Sequence, residues 1–172
     1  MKRLILVHGD KGGIGKSTVA RALYDWSIRT GKNYIAYDCD QRNPHLHRYY
    51  DRFHSVKKVN LHQPGGIDPI FNDLASAGDQ SVLVDLPAGV GITFDNLLVE
   101  VDLNDAMSEL ESRVTFILVI SRLKDSVDTI GVTLEAFKDV PADYVIVKNC
   151  YFGDEEKFTR YELSKVRKDA LQ

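Results

Sequence analysis

The stretch Leu6-Val7-His8-Gly9-Asp10-Lys11-Gly12-Gly13-Ile14-Gly15-Lys16-Ser17-Thr18 constrains the fold more than any other part of the chain. An apolar run leads into it, and Val19, Ala22, Leu23 and Trp26 follow it at helical spacing. A strand, a glycine-rich loop and a helix in that order are the context of a phosphate-binding loop. Glycines let consecutive backbone N–H groups turn inward as an anion nest without Cβ clashes. The helix opening near Lys16 adds the positive end of its dipole and its unpaired N–H groups. In such a loop Gly12, Gly13, Ile14, Gly15, Lys16, Ser17 and Thr18 contact nucleotide. Lys16 reaches the β- and γ-phosphates as a point charge, and the Ser17 hydroxyl ligates Mg²⁺.

The rest of the chain repeats the alternation. Strands are expected at residues 4–8, 34–38, 56–60, 81–86, 114–120 and 144–147, and helices at 16–30, 45–53, 67–77, 94–112, 126–137 and 154–171. Strands apolar on both faces and separated by helices indicate an α/β fold, a single doubly wound and mostly parallel sheet. With 172 residues and no linker, repeat or low-complexity segment, one domain over 1–172 is expected. An apolar fraction of 44% with 27% charged residues excludes the disordered and fibrous classes. The run after Met1-Lys2-Arg3 is too short for a signal peptide, and no apolar run approaches the ~18 residues of a membrane span. Cys39 and Cys150 are too few for a disulfide framework or a four-ligand zinc site, so a reducing, cytoplasmic setting is expected, with both thiols packed as small hydrophobes. A net charge of −3 argues against general polyanion binding by the whole surface, though not against a local basic patch.

Two carboxylate positions add to the loop. Val82-Leu83-Val84-Asp85 is an apolar strand ending in an acid, an arrangement that reaches Mg²⁺ through water while the strand stays dry. The second strand ends in Asp38-Cys39-Asp40. The phosphate loop departs from the common Walker pattern, with Asp10 at its first glycine position and a second lysine, Lys11. In these features the sequence resembles the ParA/MinD family of deviant-Walker ATPases over roughly residues 2–150. The resemblance implies that Lys11 reaches across a nucleotide-sandwich homodimer to the partner's phosphates, a lysine counterpart of an arginine finger. It implies that Asp38 holds a Mg²⁺-bound water, that Asp40 orients the attacking water, and that Asp85 with Pro87 and Gly89 forms switch II. An ordinary aspartate is a poor base at neutral pH, so Asp40 is assigned positioning. Asn149, at the end of the last strand, would meet the adenine edge.

The cofactors implied are ATP or ADP with Mg²⁺. The activity implied is slow, partner-stimulated ATP hydrolysis in a switch that positions DNA or a protein complex, in plasmid partition or conjugative transfer. A stimulating partner protein is expected, DNA contact is an option, and a membrane-targeting tail is not seen. Longer family members carry a further strand and helices; here the chain ends in a segment with Lys157, Arg160, Lys165, Arg167 and Lys168 offset by Glu155, Glu156, Glu162 and Asp169, read as a solvated helix. Residues 42–62 hold His45, His47, His54 and His62 among Tyr49, Tyr50, Phe53, Lys57 and Lys58, a polar surface with partner or nucleic-acid contact as the alternative and metal binding disfavoured. Alternatives of other classes are an ATP-dependent transferase or ligase of the dethiobiotin-synthetase type and a nucleotide-binding accessory protein with negligible turnover. Metal-cluster ATPases need exposed cysteine ligands that are missing near residues 87–94, and an arsenite-pump ATPase would have two phosphate loops.

Overall fold

Strands that are apolar on both faces must be covered on both faces, and the computed structural model, which describes residues 1–9, 11–89 and 91–170, shows how. Strands β1 (Arg3–His8), β2 (Ile35–Asp38), β3 (Val56–Lys58), β4 (Val82–Asp85), β5 (Arg113–Ile120) and β6 (Ala142–Lys148) form one sheet. Its order is β3-β2-β4-β1-β5-β6, and every pairing is parallel. The helices are α1 (Lys16–Arg29), α2 (His45–Tyr50), α3 (Asp68–Ser76), α4 (Gly91–Glu100), α5 (Leu103–Glu109), α6 (Lys124–Ala136), α7 (Thr159–Glu162) and α8 (Lys165–Ala170).

The period-two alternation of strand side chains divides the core into two layers. Ile5 and Val7 of β1 pack with Ala36, Leu83, Ile117 and Val119 against Ala20 and Tyr24 of α1 and Leu46 and Tyr50 of α2. Leu4 and Leu6 point the other way, joining Val82, Val84, Val114, Phe116 and Leu118 under α3, α4, α5 and α6. Phe116 stacks between Phe137 and Tyr144. No described helix is long and apolar enough to cross a membrane.

Three expectations are corrected. The helix expected over 94–112 is two helices, because Asp102 takes a left-handed conformation with φ 46° and its side chain accepts from the Asp105 N–H, capping α5. Apolar periodicity runs through the break, since Leu98, Leu103 and Met107 all face the core.

The charged helix expected over 154–171 is instead a 3₁₀ turn (Glu155–Lys157) followed by α7 and α8. Phe158, at 1% exposure, and Tyr161 dive into the core, and the Ser164 hydroxyl accepts from the Arg167 N–H to start a new helix. Val166 of α8 packs close on Gly131 of α6, where a Cβ would come within 3.2 Å of its Cγ2. Cys39 is buried as expected, but Cys150 is exposed, on a 3₁₀ turn (Cys150–Phe152) beyond the end of β6.

Candidate functional site

Parallel register places the acidic strand ends together. Asp38 of β2 pairs with Asp85 of β4, and Asp85 pairs in turn with Val7 of β1, two residues before Gly9. The glycine loop and the two carboxylates therefore share the C-terminal edge of the sheet, where open α/β sheets bind ligands. Asp10 lies outside the described residues.

Gly15 is the N-cap of α1 with φ 99°. A Cβ there would lie 2.3 Å from Asn149 Nδ2, so both the backbone conformation and the close approach require glycine. Among the described residues no side chain caps α1, and no acidic residue occupies its first turn, which leaves the helix start suited to an anion. Lys16 is buried, and its Nζ donates to the Lys11 carbonyl at 3.0 Å, drawn back over the loop. Gly12, Gly13, Gly15, Lys16, Ser17 and Thr18 line a cavity of about 460 Å³ together with Asp40, Leu86, Pro87 and Ala88. Ile14 instead packs its side chain in the α1 layer of the core.

Asp85 is buried, and neither of its carboxylate oxygens has a hydrogen-bond partner among the described residues. Burial pushes its pKa up to about 7, and the nearby Asp38 and Asp40 charges add to this. The Ser17 hydroxyl and the Lys16 ammonium act in the opposite direction. Ser17 is thus near enough to Asp85 to act on its charge without meeting hydrogen-bond geometry. A buried, unpartnered carboxylate is costly, and a cation is the group that would satisfy it. Among the described residues no group of three or more His, Cys, Asp or Glu is placed to hold a metal alone. Ser17 and Asp85 fit Mg²⁺ as the ion is held in nucleotide sites, with few protein ligands and the rest from phosphate and water.

The other two aspartates are committed to the backbone. Asp38 accepts from the Asp40 N–H through Oδ1 and from the His47 N–H through Oδ2, both at 3.0 Å. Burial raises its pKa and these backbone bonds lower it. Asp40 accepts from the Arg42 and Asn43 N–H groups at 2.9 and 2.8 Å while lining the cavity. The loop between β2 and α2 is thus folded around these two carboxylates.

Asn149 donates from Nδ2 to the Ile14 carbonyl at 2.7 Å and accepts from the Tyr151 N–H. Its amide clasps the end of β6 to the phosphate loop, with one N–H and one lone pair left over. Lys11 does not line this cavity but a second one, with Ile14, Ser121, Arg122 and Leu123, and its Nζ forms an ion pair at 3.1 Å with Asp125 of α6 in the same chain.

Sequence reasoning missed Arg21, Asn43 and His45, which complete the cavity wall, as well as Asp125. It also missed a buried pair at the start of the loop, His8 Nε2 at 3.3 Å from Asp95 Oδ1 of α4. Arg21 carries a readable signal, since it lies one helical turn beyond Ser17. The others come together only through the sheet order.

No family model matches the chain. It is 29% identical over 170 residues to Protein MobD of Acidithiobacillus ferrooxidans, spanning 96% of this chain and 71% of that protein. Among solved structures it aligns with a nucleotide-binding protein from Archaeoglobus fulgidus in complex with ADP, with a TM-score of 0.40 and 13% identity over 99% of this chain and 88% of that one.

Proposed function

We propose that the chain binds Mg-ATP and hydrolyses it slowly, as a switch of the ParA/MinD type that dimerises on ATP and positions DNA or a protein complex in plasmid partition or conjugative transfer. The observation that carries the nucleotide reading is the buried, unpartnered Asp85 carboxylate beneath a glycine loop, within electrostatic reach of Ser17 and Lys16. A Mg²⁺-phosphate group would satisfy at once the carboxylate, the hydroxyl, the ammonium and the helix N-terminus. Lys16 and the loop N–H groups hold the phosphates and stabilise charge on the departing γ-phosphoryl group. Asp40, on the cavity wall, orients the attacking water. Lys11 supplies charge to the partner's phosphates after exchanging its pair with Asp125.

Ligand at a hundredfold over Kd stabilises by ~2.7 kcal/mol, a rise in Tm of roughly 5–10 °C for a domain of this size. Millimolar Mg-ATP is expected to give that rise, and Lys16→Ala to remove it. No shift with either Mg-ATP or Mg-ADP would sink the reading.

One observation favours a second reading, a nucleotide-binding accessory protein with negligible turnover. Oxygens of both Asp38 and Asp40 already accept from backbone N–H groups, so they serve the loop's shape before any water. Phosphate release separates the two: Mg-ATP binding with no release, at any protein concentration, selects the accessory protein.

A further inference from the structure

We infer that α2 and the turn after it form a docking face for a single strand of nucleic acid. Leu46 and Tyr50 bury one side of α2. His45, Arg48, Tyr49 and Arg52 recur at the spacing of the opposite side, and all are exposed. Phe53 follows at 78% exposure, and Tyr49 is 61% exposed. Arg21 of α1 reaches this face, its guanidinium 4.9 Å from the centre of the Tyr49 ring.

Most cations here have no acidic partner, although Arg48 bonds to His45 Nδ1 at 3.2 Å. Arg21, Arg42, Arg48, Arg52 and Lys58 form no ion pair among the described residues, whereas Lys57 is engaged by Asp73. The acid on this face, Asp51, sits 3.7 Å from His47. Residues 42–58 therefore carry a clear positive excess in a chain whose net charge is −3. Beside them a cavity of about 430 Å³ opens between Arg52, Phe53, His54 and Val56.

Cations alone would fit any polyanion. The exposed rings decide between partners, because a strand with unpaired bases offers phosphates to arginines and flat faces to Phe53 and Tyr49. A duplex hides its base faces, and an acidic peptide has none. The face shares Arg21 and His45 with the nucleotide cavity, but Arg48, Tyr49, Arg52 and Phe53 do not line that cavity, so failure of Mg-ATP to bind would leave the inference standing.

The test measures fluorescence anisotropy with a labelled oligothymidylate of about twenty nucleotides at roughly 50 mM salt, without nucleotide. A duplex of equal length and polyglutamate serve as comparisons. The single strand is expected to bind tightest, with affinity falling as salt rises. Phe53→Ala should weaken it about fivefold or more, the lower range of a lost base stack, and leave the salt slope unchanged. Arg48→Ala/Arg52→Ala should reduce the slope by about 1.4, as expected for two lost phosphate contacts to a single strand. All these positions are exposed, so both variants should melt like the native chain, which keeps the comparison clean. Three results would overturn the inference: no binding of the single strand at this salt, equal binding of duplex or polyglutamate, or Phe53→Ala behaving as the native protein.

Discussion

Asp85 shows how much a single residue reveals before and after folding is known. An acid closing a run of valine and leucine is visible in the sequence, and so are the glycines and lysines of the loop. The absence of any hydrogen-bond partner is not visible, because it depends on which strands lie beside β4. Its consequence for pH has a definite sign. The folded pKa is about 7, against about 3.9 for an unfolded aspartate. The folded state therefore holds a proton that the unfolded chain releases in this interval. The associated stability is full below about pH 4, falls as pH rises, and is gone above about pH 7. Asp85→Asn should remove that slope and make the metal-free fold more stable than the native chain at pH 8, by an amount on the order of 1–2 kcal/mol. Melts at pH 4 and pH 8 in EDTA measure it. An unchanged slope would mean that Asp85 does not titrate as a buried acid. The same variant should lose the Mg²⁺ dependence of nucleotide binding.

At the scale of elements, the four central strands were legible because burial on both faces leaves few polar positions. The edge strands β3 and β6 are less buried, and the ends of all six fell within two residues of those expected. Helix ends were less legible. The break at Asp102 and the folding-back at Phe158 are decided by caps and by distant core positions, which periodicity does not report. The opposite edge of the sheet holds a contact that pattern reasoning also passed over. Asp143 of β6 is gripped by the Arg113 guanidinium of β5 at 3.0 and 2.9 Å and by Arg3 of β1. The two hydrogen-bonded guanidinium groups hold its carboxyl down to about 2. The contribution of this clamp is present above about pH 4 and disappears as pH falls towards 2. Partial exposure limits it to under ~1 kcal/mol. Asp143→Asn should therefore lower Tm at pH 7 by no more than roughly 2–4 °C, and the difference should vanish near pH 2. Nucleotide binding should be untouched, because β6 begins at the end of the sheet away from the phosphate loop. A deficit that persists undiminished at pH 2 would show that the clamp stabilises by packing rather than by charge.

For the whole molecule, the sheet order explains why scattered motifs belong together. β1 lies between β4 and β5, so the loop that follows it meets Asp85 on one side, and Asn149 reaches back to it from β6 beyond β5. Lys11 sits at the outer rim of this assembly, and the fold itself supplies the competitor for it. The ion pair with Asp125 joins two side chains that are 40% and 76% exposed. Pairs of that kind contribute at most about 1 kcal/mol. A second molecule presenting a nucleotide's phosphates could therefore take Lys11 from Asp125 at little cost. If that exchange is how the switch works, catalysis belongs to the dimer and depends on protein concentration. Specific activity should rise with concentration until the dimer saturates. Lys11→Ala should nearly abolish turnover, since finger-type contacts are worth up to ~10³–10⁵ in rate, and still bind Mg-ATP through Lys16. Asp125→Ala should remove only the competitor, shifting the activity curve to lower protein concentration without changing its plateau. A dilution series with flat specific activity, in which Lys11→Ala matches the native chain, would assign Lys11 to its bond with Asp125 and return the protein to the monomeric readings.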